Sequence, residues 1–309
     1  MQSVWLVTGA TSGVGEALVT QILSRGDKVI ASGRNVELRL GPKTHVSPDL
    51  AFLELDITAP QLEIDAQVKK AWHIFGRIDV LFNNAGRSAL KAAEEAEDAD
   101  VNEMFQVNVF GPMRMTRAVF PFLRAQGGGC VAFTSSSTAW ASLPFMTHYA
   151  SSKAALSVYV EALHKESIPL GIRCVAFECG GMPTLLGQPR EEAKGAFGAQ
   201  PDIEGYQPQF AELMGVFAKF GMDMMPGDLV KVATTMVDVV KREGRAEGKP
   251  WATRVPLGSD GWGFASQKVE EHRKVLDEWR GISFGTDRYG QRDVASKSVY
   301  KFTTVLEKA

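Results

Sequence analysis

Apolar residues along this chain fall into short, nearly unbroken runs, separated by longer stretches in which they recur every three or four positions. VWLVT (4–8), KVIAS (28–32), LAFLEL (50–55), IDVLFN (78–83), CVAFTS (130–135) and IRCVAF (172–177) are runs of the first kind, and WATRVPLG (251–258) is a looser seventh. Short runs that are apolar on both faces predict strands buried inside a parallel sheet. Stretches near 13–25, 62–75, 98–125, 148–167, 227–243 and 264–280 carry the helical period. Their alternation with the strands predicts one Rossmann-type α/β domain over 1–309: a doubly wound parallel sheet of about seven strands, with helices on both faces. Gly41-Pro42 interrupts the segment after the second strand, so that crossover is abbreviated. Pro112, directly after Gly111, is expected to kink the 98–125 helix. From Cys179 to about Gly221 the pattern loosens. We read 180–222 as an insertion over the substrate, a lid, and 281–309 as a polar carboxyl-terminal tail.

Composition narrows the partners. The chain has 309 residues, 45% hydrophobic and 23% charged, with 36 acidic side chains against 34 Lys and Arg. Without a strong net field, neither nucleic acid nor an anionic membrane is an expected partner. No apolar run reaches the ~18 residues of a membrane span, and MQSVWLVTGA runs directly into a strand with no targeting segment. Cys130, Cys174 and Cys179 are odd in number and follow no metal spacing, which fits a reducing compartment and predicts a cytoplasmic protein without a metal. The acidic run EEAEDAD (94–100) reads as a solvated loop and helix start.

Candidate chemistry begins where the first strand ends. TGATSGVG (8–15) follows a strand and opens a helix, the context of a dinucleotide fingerprint. Gly9, Gly13 and Gly15 let the backbone approach a pyrophosphate, and the free N–H groups of the new helix face it. An acid at the end of the second strand would select NAD and an Arg would favour NADP; SGRN puts Gly33 where the acid is expected and Arg34 beside it. Asp56 in LDIT (55–58) also suits a plain helix cap, and NNAG (83–86) makes a tight polar turn at the sheet's carboxyl edge. In YASSK, Tyr149 and Lys153 lie one helical turn apart.

Taken together, TGATSGVG, LDIT, NNAG, VNVFG (107–111), TSSS (134–137) and YASSK resemble the short-chain dehydrogenase/reductase family in order and spacing, closely over 1–185 and loosely at LGSDG (257–261). The resemblance implies a catalytic tetrad of Asn108, Ser136, Tyr149 and Lys153, with Ser135 as the alternative serine. It also implies a cofactor, NADP or NADPH, contacted by Gly9, Ser12, Gly13, Val14, Gly15, Arg34, Asp56, Ile57, Asn84, Ala85, Gly86, Met182 and Thr184 as well as by Tyr149 and Lys153. A phenol with pKa about 10 needs help to exchange protons near neutrality, and a nearby ammonium favours the phenolate. Tyr149 is then general acid in reduction and general base in oxidation, Ser136 hydrogen-bonds the substrate oxygen, and Asn108 holds the kinked helix and a water. Where the family has Pro-Gly after the sixth strand, this chain has Cys179-Gly180, and a small buried filler is the expected use of Cys179; His148 is read as an exposed residue at a helix start.

Two other functions compete with an oxidoreductase: an epimerase or dehydratase of the related longer-chain branch, whose glycine spacing differs, and a catalytically silent dinucleotide-binding sensor, which would have no use for both Tyr149 and Lys153. The segment 180–222 carries Met182, Leu185, Leu186, Phe197, Tyr206, Phe210, Met214, Phe217, Phe220 and Met222, and Trp140, Leu143, Phe145 and Met146 lie across the site. Walls of that kind predict a hydrophobic ketone or secondary alcohol as substrate. By family resemblance the chain forms a homo-oligomer through the helices 98–125 and 148–167.

Overall fold

In the computed structural model, residues 2–45, 47–184, 186, 200–220, 225–288, 299 and 303 are described. Leu185, Phe197 and Met222 of the expected lid lie outside them. The strands are β1 (Val4–Thr8), β2 (Lys28–Gly33), β3 (Leu50–Glu54), β4 (Val80–Asn83), β5 (Gly129–Ser136), β6 (Ile172–Cys179) and β7 (Arg254–Leu257). They form one parallel sheet in the order β3-β2-β1-β4-β5-β6-β7, the doubly wound arrangement the alternation predicts. All of β1 is buried, and Trp5 pairs with Val29 on one side and Val80 on the other.

Helices cover both faces. On one lie α1 (Gly13–Ser24), α2 (Val36–Leu40) and α8 (Leu229–Lys241), which pack Leu18, Ile22, Leu40, Met236 and Val237 against Trp5, Phe82 and Phe177. On the other lie α3 (Gln61–Phe75), α5 (Gly111–Ala125) and α6 (Thr147–Ser167), which bring Ile64, Val68, Val119, Leu156 and Val160 onto Leu6, Leu81, Val131 and Phe133. The abbreviated crossover is α2, a five-residue helix that still buries Val36 and Leu40. Spacings of three and four put these apolar groups on one helix face each, so burial, at about 25 cal/mol per Å² of apolar surface, fixes the layers.

Three elements depart from the pattern. The expected 98–125 helix is two helices, α4 (Asp98–Phe105) and α5, joined by a π-helical turn at Gln106–Phe110. Pro112 has no N–H to give the Asn108 carbonyl four residues back, so the bend begins ahead of the proline and takes the form of a widened turn. Strand β6 runs past IRCVAF to include Glu178 and Cys179, both buried. Finally, α9 (Ser259–Gly285) is longer than the 264–280 pattern, and the polar tail starts after it. Beyond Ala265 its side chains are almost all exposed, including Val269, Val275, Leu276, Trp279 and Ile282. Between α6 and α9, the segment 200–220 carries α7 (Gln207–Phe220). Among the described residues no helix is long and apolar enough to cross a membrane.

Candidate active site

The strand order reverses between β1 and β4, so the loops leaving their carboxyl ends diverge and open a crevice there. The glycine loop forms one wall. Gly9 and Gly13 hold φ at +64° and +57°, where a side chain is strained. A Cβ on Gly15 would lie 2.2 Å from the Gly9 carbonyl oxygen, so the loop accepts no side chain there either. Val14 is buried in the core, and Ser12, the N-cap of α1, makes no side-chain cap bond. The first N–H groups of α1 are thus left for an external acceptor, in a cradle that only glycines permit.

Asn84 builds this wall from behind. Its Nδ2 donates to the carbonyls of Thr8 and Gly9 at 3.2 and 3.1 Å, and its Oδ1 accepts from Thr134 at 3.0 Å. The Thr8 hydroxyl accepts from the N–H groups of Asn84 and Ala85. The ends of β1, β4 and β5 are therefore tied together, and the Asn84 side chain is occupied by that task. Gly86 is flanked by the Lys153 ammonium and by Asn108 Oδ1, 3.6 and 3.7 Å from where a Cβ would stand. Beyond β6, Met182 packs on the core and the Thr184 methyl lies over Gly13.

At the far end of the crevice Asp56 forms a local turn, its Oδ1 accepting from both the N–H and the hydroxyl of Thr58; α3 begins later, after Pro60, so Asp56 is not the cap of that helix. Ile57 is buried beside Gly111. Arg34 is exposed and makes no ion pair among the described residues. Gly33 leaves β2 without an acid, but the next strand brings one: Glu54 accepts from the N–H groups of Asn35 and Val36 at 2.9 and 3.3 Å. Register shows why, since Glu54 lies directly beside Gly33.

The four residues of the expected tetrad meet at the crevice's other end. Ser136 closes β5, and its hydroxyl lies beside the Tyr149 phenol, whose pKa it lowers. Ser135 is turned away into the layer beneath, bonded to Ser157 at 2.9 Å and to the Lys153 carbonyl at 3.3 Å, which leaves Ser136 as the serine at the phenol. Lys153 donates to the Thr134 carbonyl at 2.9 Å and lies 5.8 Å from the Tyr149 ring centre. Asn108, fully buried in the π-turn, accepts from the Arg87 N–H at 2.9 Å and donates to the Arg87 carbonyl and to Ser152. It thereby fixes the strand leaving NNAG against α6.

Electrostatics in this cluster differ from the expected lysine-assisted phenolate. Burial pushes the Tyr149 phenol up to about 12, outweighing the lowering effect of the Ser136 hydrogen bond. Burial also pulls the Lys153 ammonium down to about 8. Desolvation penalises either charge, so in the protein alone the phenol keeps its proton across the neutral range. Cys179 is buried and its thiol is also pushed to about 12, chiefly by burial, which agrees with a packed filler and not a reactive thiolate.

Side chains around the site hold further polar groups that the pattern of the chain did not signal. Glu178, fully buried, accepts from Ser157 at 2.8 Å, from Arg254 at 2.7 Å and from the Trp140 indole. The Arg254 guanidinium also stacks 4.1 Å from the Trp140 ring, so Trp140 anchors its loop to the sheet. A carboxylate next to Cys179 in an apolar run was the available signal, because such a group survives burial only with a partner. Phe145 packs against α7. Its backbone is left-handed, φ +64°, and its ring meets Phe210 edge-on at 5.1 Å, in a cluster with Leu90, Met146, Tyr206, Met214 and Phe217. Part of the acidic run is not simply solvated: Glu95 accepts from the Ile203 N–H at 2.8 Å and Glu94 from the Tyr206 hydroxyl. His148 lies near the start of α6, within 3.4 Å of the Ala93 carbonyl.

Comparison with known proteins agrees with this geometry. The family model described as short chain dehydrogenase matches residues 3–195. The oxidoreductase BOA17 of Botryotinia fuckeliana is 27% identical over 93% of this chain and all of its own length. The NADPH-dependent 1-acyldihydroxyacetone phosphate reductase of Saccharomyces cerevisiae is 33% identical over 60% of this chain and 63% of its own. Among solved structures, a short-chain dehydrogenase from Streptomyces avermitilis superposes with a TM-score of 0.76 at 32% identity, covering 93% of this chain and 99% of that one.

Proposed function

The chain belongs to the short-chain dehydrogenase family and is an oxidoreductase, and from that premise we propose that it is an NADP(H)-dependent enzyme interconverting a hydrophobic ketone and its secondary alcohol. The observation that carries this reading is the buried Tyr149–Ser136 pair beside Lys153, at the open end of a crevice whose opposite wall is the glycine cradle. When bound, the nicotinamide supplies or accepts the hydride. Gly9, Ser12, Gly13, Val14 and Gly15 would hold its pyrophosphate, with Arg34, Asp56 and Ile57 on the adenosine side. Asn84, Ala85, Gly86, Met182 and Thr184 would line the nicotinamide side, with Lys153 at the ribose. In reduction the protonated Tyr149 hydroxyl gives its proton to the carbonyl oxygen as carbon gains the hydride, and Ser136 donates to the same oxygen.

Arg34 without an acid on β2 favours the 2′-phosphate of NADP, and the yeast relative is NADPH-dependent by name. Glu54 supports a second reading, in which its carboxylate takes a ribose hydroxyl and the cofactor is NAD. Steady-state kinetics with a panel of ketones separates them: kcat/KM is expected to be higher with NADPH than NADH and highest on large apolar ketones. A preference for NADH, or for small charged ketones, overturns the corresponding half of the proposal. The lid reading rests on the cluster of Phe145, Phe210 and Phe217, and slowed hydrogen exchange over 200–220 on ligand binding is its accompanying signature.

We expect a homo-oligomer, a cytoplasmic protein in a reducing compartment. The exposed apolar side chains favour α9 as the pairing surface over the α5 and α6 helices. Val275, Leu276, Trp279 and Ile282 share one face of α9, whereas Phe110, ahead of α5, and Val158, on α6, are isolated. Sedimentation at micromolar concentration should show a dimer or larger species that Leu276→Glu with Trp279→Glu converts to monomer; a monomeric wild type overturns this.

A further inference from the structure

The end of β2 poses a charge problem for a 2′-phosphate. The two backbone N–H groups that follow Arg34, those of Asn35 and Val36, are engaged by the Glu54 carboxylate, so neither is free for an anion and a negative charge stands beside them. Arg34, exposed and without an ion pair among the described residues, is the one cation at this strand end, and a phosphate monoester brings a charge of about −1.5 to −2 at neutral pH. Ser12, in the glycine loop, adds no charge.

A second cation is built into the same corner. Lys43 follows α2, whose Val36 and Leu40 are buried in the core, and its short turn is closed by the Thr44 hydroxyl on the carbonyls of Leu40 and Gly41. From this anchored position the ammonium crosses to the glycine loop. It donates to the Thr11 carbonyl at 3.3 Å and to Glu16 Oε2 at 2.8 Å. The Thr11 methyl, in turn, lies 3.5 Å from where a Cβ on Gly33 would stand. Thr11 therefore touches both the lysine and Gly33, the residue next to Arg34, and places the ammonium on the glycine-loop side of the β2 end.

We propose that Lys43 is a specificity-determining residue for the cofactor: with Arg34 it forms a two-cation clamp for the 2′-phosphate, and Glu16 holds it in place until the phosphate arrives. The proposal rests on the NADP reading above. Lysine suits this use, since a compact ammonium with three donors can keep the Thr11 carbonyl and still turn to a phosphate oxygen. Its side chain, 46% exposed, is free to make that small movement.

Calorimetric titration of the intact protein with adenosine 2′,5′-bisphosphate and with AMP tests the clamp without turnover. The wild type should bind the bisphosphate more tightly. Lys43→Ala should weaken the bisphosphate by about five- to twentyfold, as expected for loss of one charge-assisted bond, and leave AMP unchanged. Lys43→Arg should restore most of the difference, and Glu16→Gln should tighten the bisphosphate alone by releasing the lysine. A wild type that does not distinguish the two ligands overturns the NADP reading, and the clamp with it. A wild type that prefers the bisphosphate, with Lys43→Ala losing nothing or losing both ligands equally, overturns the clamp and leaves the NADP reading in place.

Discussion

Tyr149→Phe lowers kcat by about 10²–10⁴-fold, the usual range for loss of a positioned proton donor, while NADPH affinity stays within a few-fold of wild type. The substitution removes one oxygen from a buried ring and leaves α6 and the Lys153 contact to Thr134 as they are. Binding, followed by NADPH fluorescence, and turnover therefore separate cleanly. The pH profile gives the same assignment independently. The phenol is pushed up to about 12, so the proton required for reduction is present throughout the neutral range. Lys153 sits at about 8, below the usual lysine value; it is charged below that pH and neutral above it. The kcat/KM for reduction should be level up to about pH 8 and fall beyond it, as the ammonium that supports a developing phenolate is lost. Oxidation, which needs the phenolate, should rise with pH instead. Turnover by Tyr149→Phe within a few-fold of wild type, or matching profiles in the two directions, would remove Tyr149 from its role.

Arg254→Met is the substitution with the largest expected effect on stability. It strips the fully buried Glu178 of its cationic partner, leaving Ser157 and the Trp140 indole to support the charge. Breaking a buried pair from one side costs about 3–5 kcal/mol, because the remaining charge is uncompensated. Glu178→Leu combined with Arg254→Met should recover much of that loss, since apolar groups of similar volume satisfy the site without a charge. Denaturant unfolding of the two single variants and the double variant reads the cycle. Equal and additive losses would show that the pair is not coupled.

The strands, their order along the chain and the glycine cradle were legible in the sequence, because unbroken apolar runs and left-handed glycines have few alternative uses. VWLVT could only be a buried strand, and Gly9 and Gly15 sit where any Cβ meets backbone. The tetrad was an expectation from the family resemblance; Asn108, Ser136, Tyr149 and Lys153 lie close together in the fold, while Ser135 is turned toward Ser157. What was not legible depends on partners distant in sequence. Glu54 bonds the amides of Asn35 and Val36 across a strand pair, and Glu178 meets Arg254 only because β6 and β7 are neighbours. The raised phenol follows from how completely α6 is covered, which local pattern does not report. The bond from the Trp140 indole N–H to Glu178 is of the same kind, between residues 38 apart in the chain.

The central position of β1 has a consequence for how the chain reaches its fold. Of the strands of this sheet it is the first to be synthesised, and β2 can join it at once, but its other neighbour, β4, lies far along the chain, with Trp5 set against Val80. Until residue 83 has emerged, VWLVT is an uncharged, largely apolar edge with one row of open N–H and C=O groups, the kind of template that recruits other chains. Parallel pairing at such separation is slow, because the intervening loop must close before contacts form. Folding of this protein during synthesis is therefore most vulnerable in the interval between β3 and β4, and nascent chains truncated there should depend on chaperones far more than those that include NNAG.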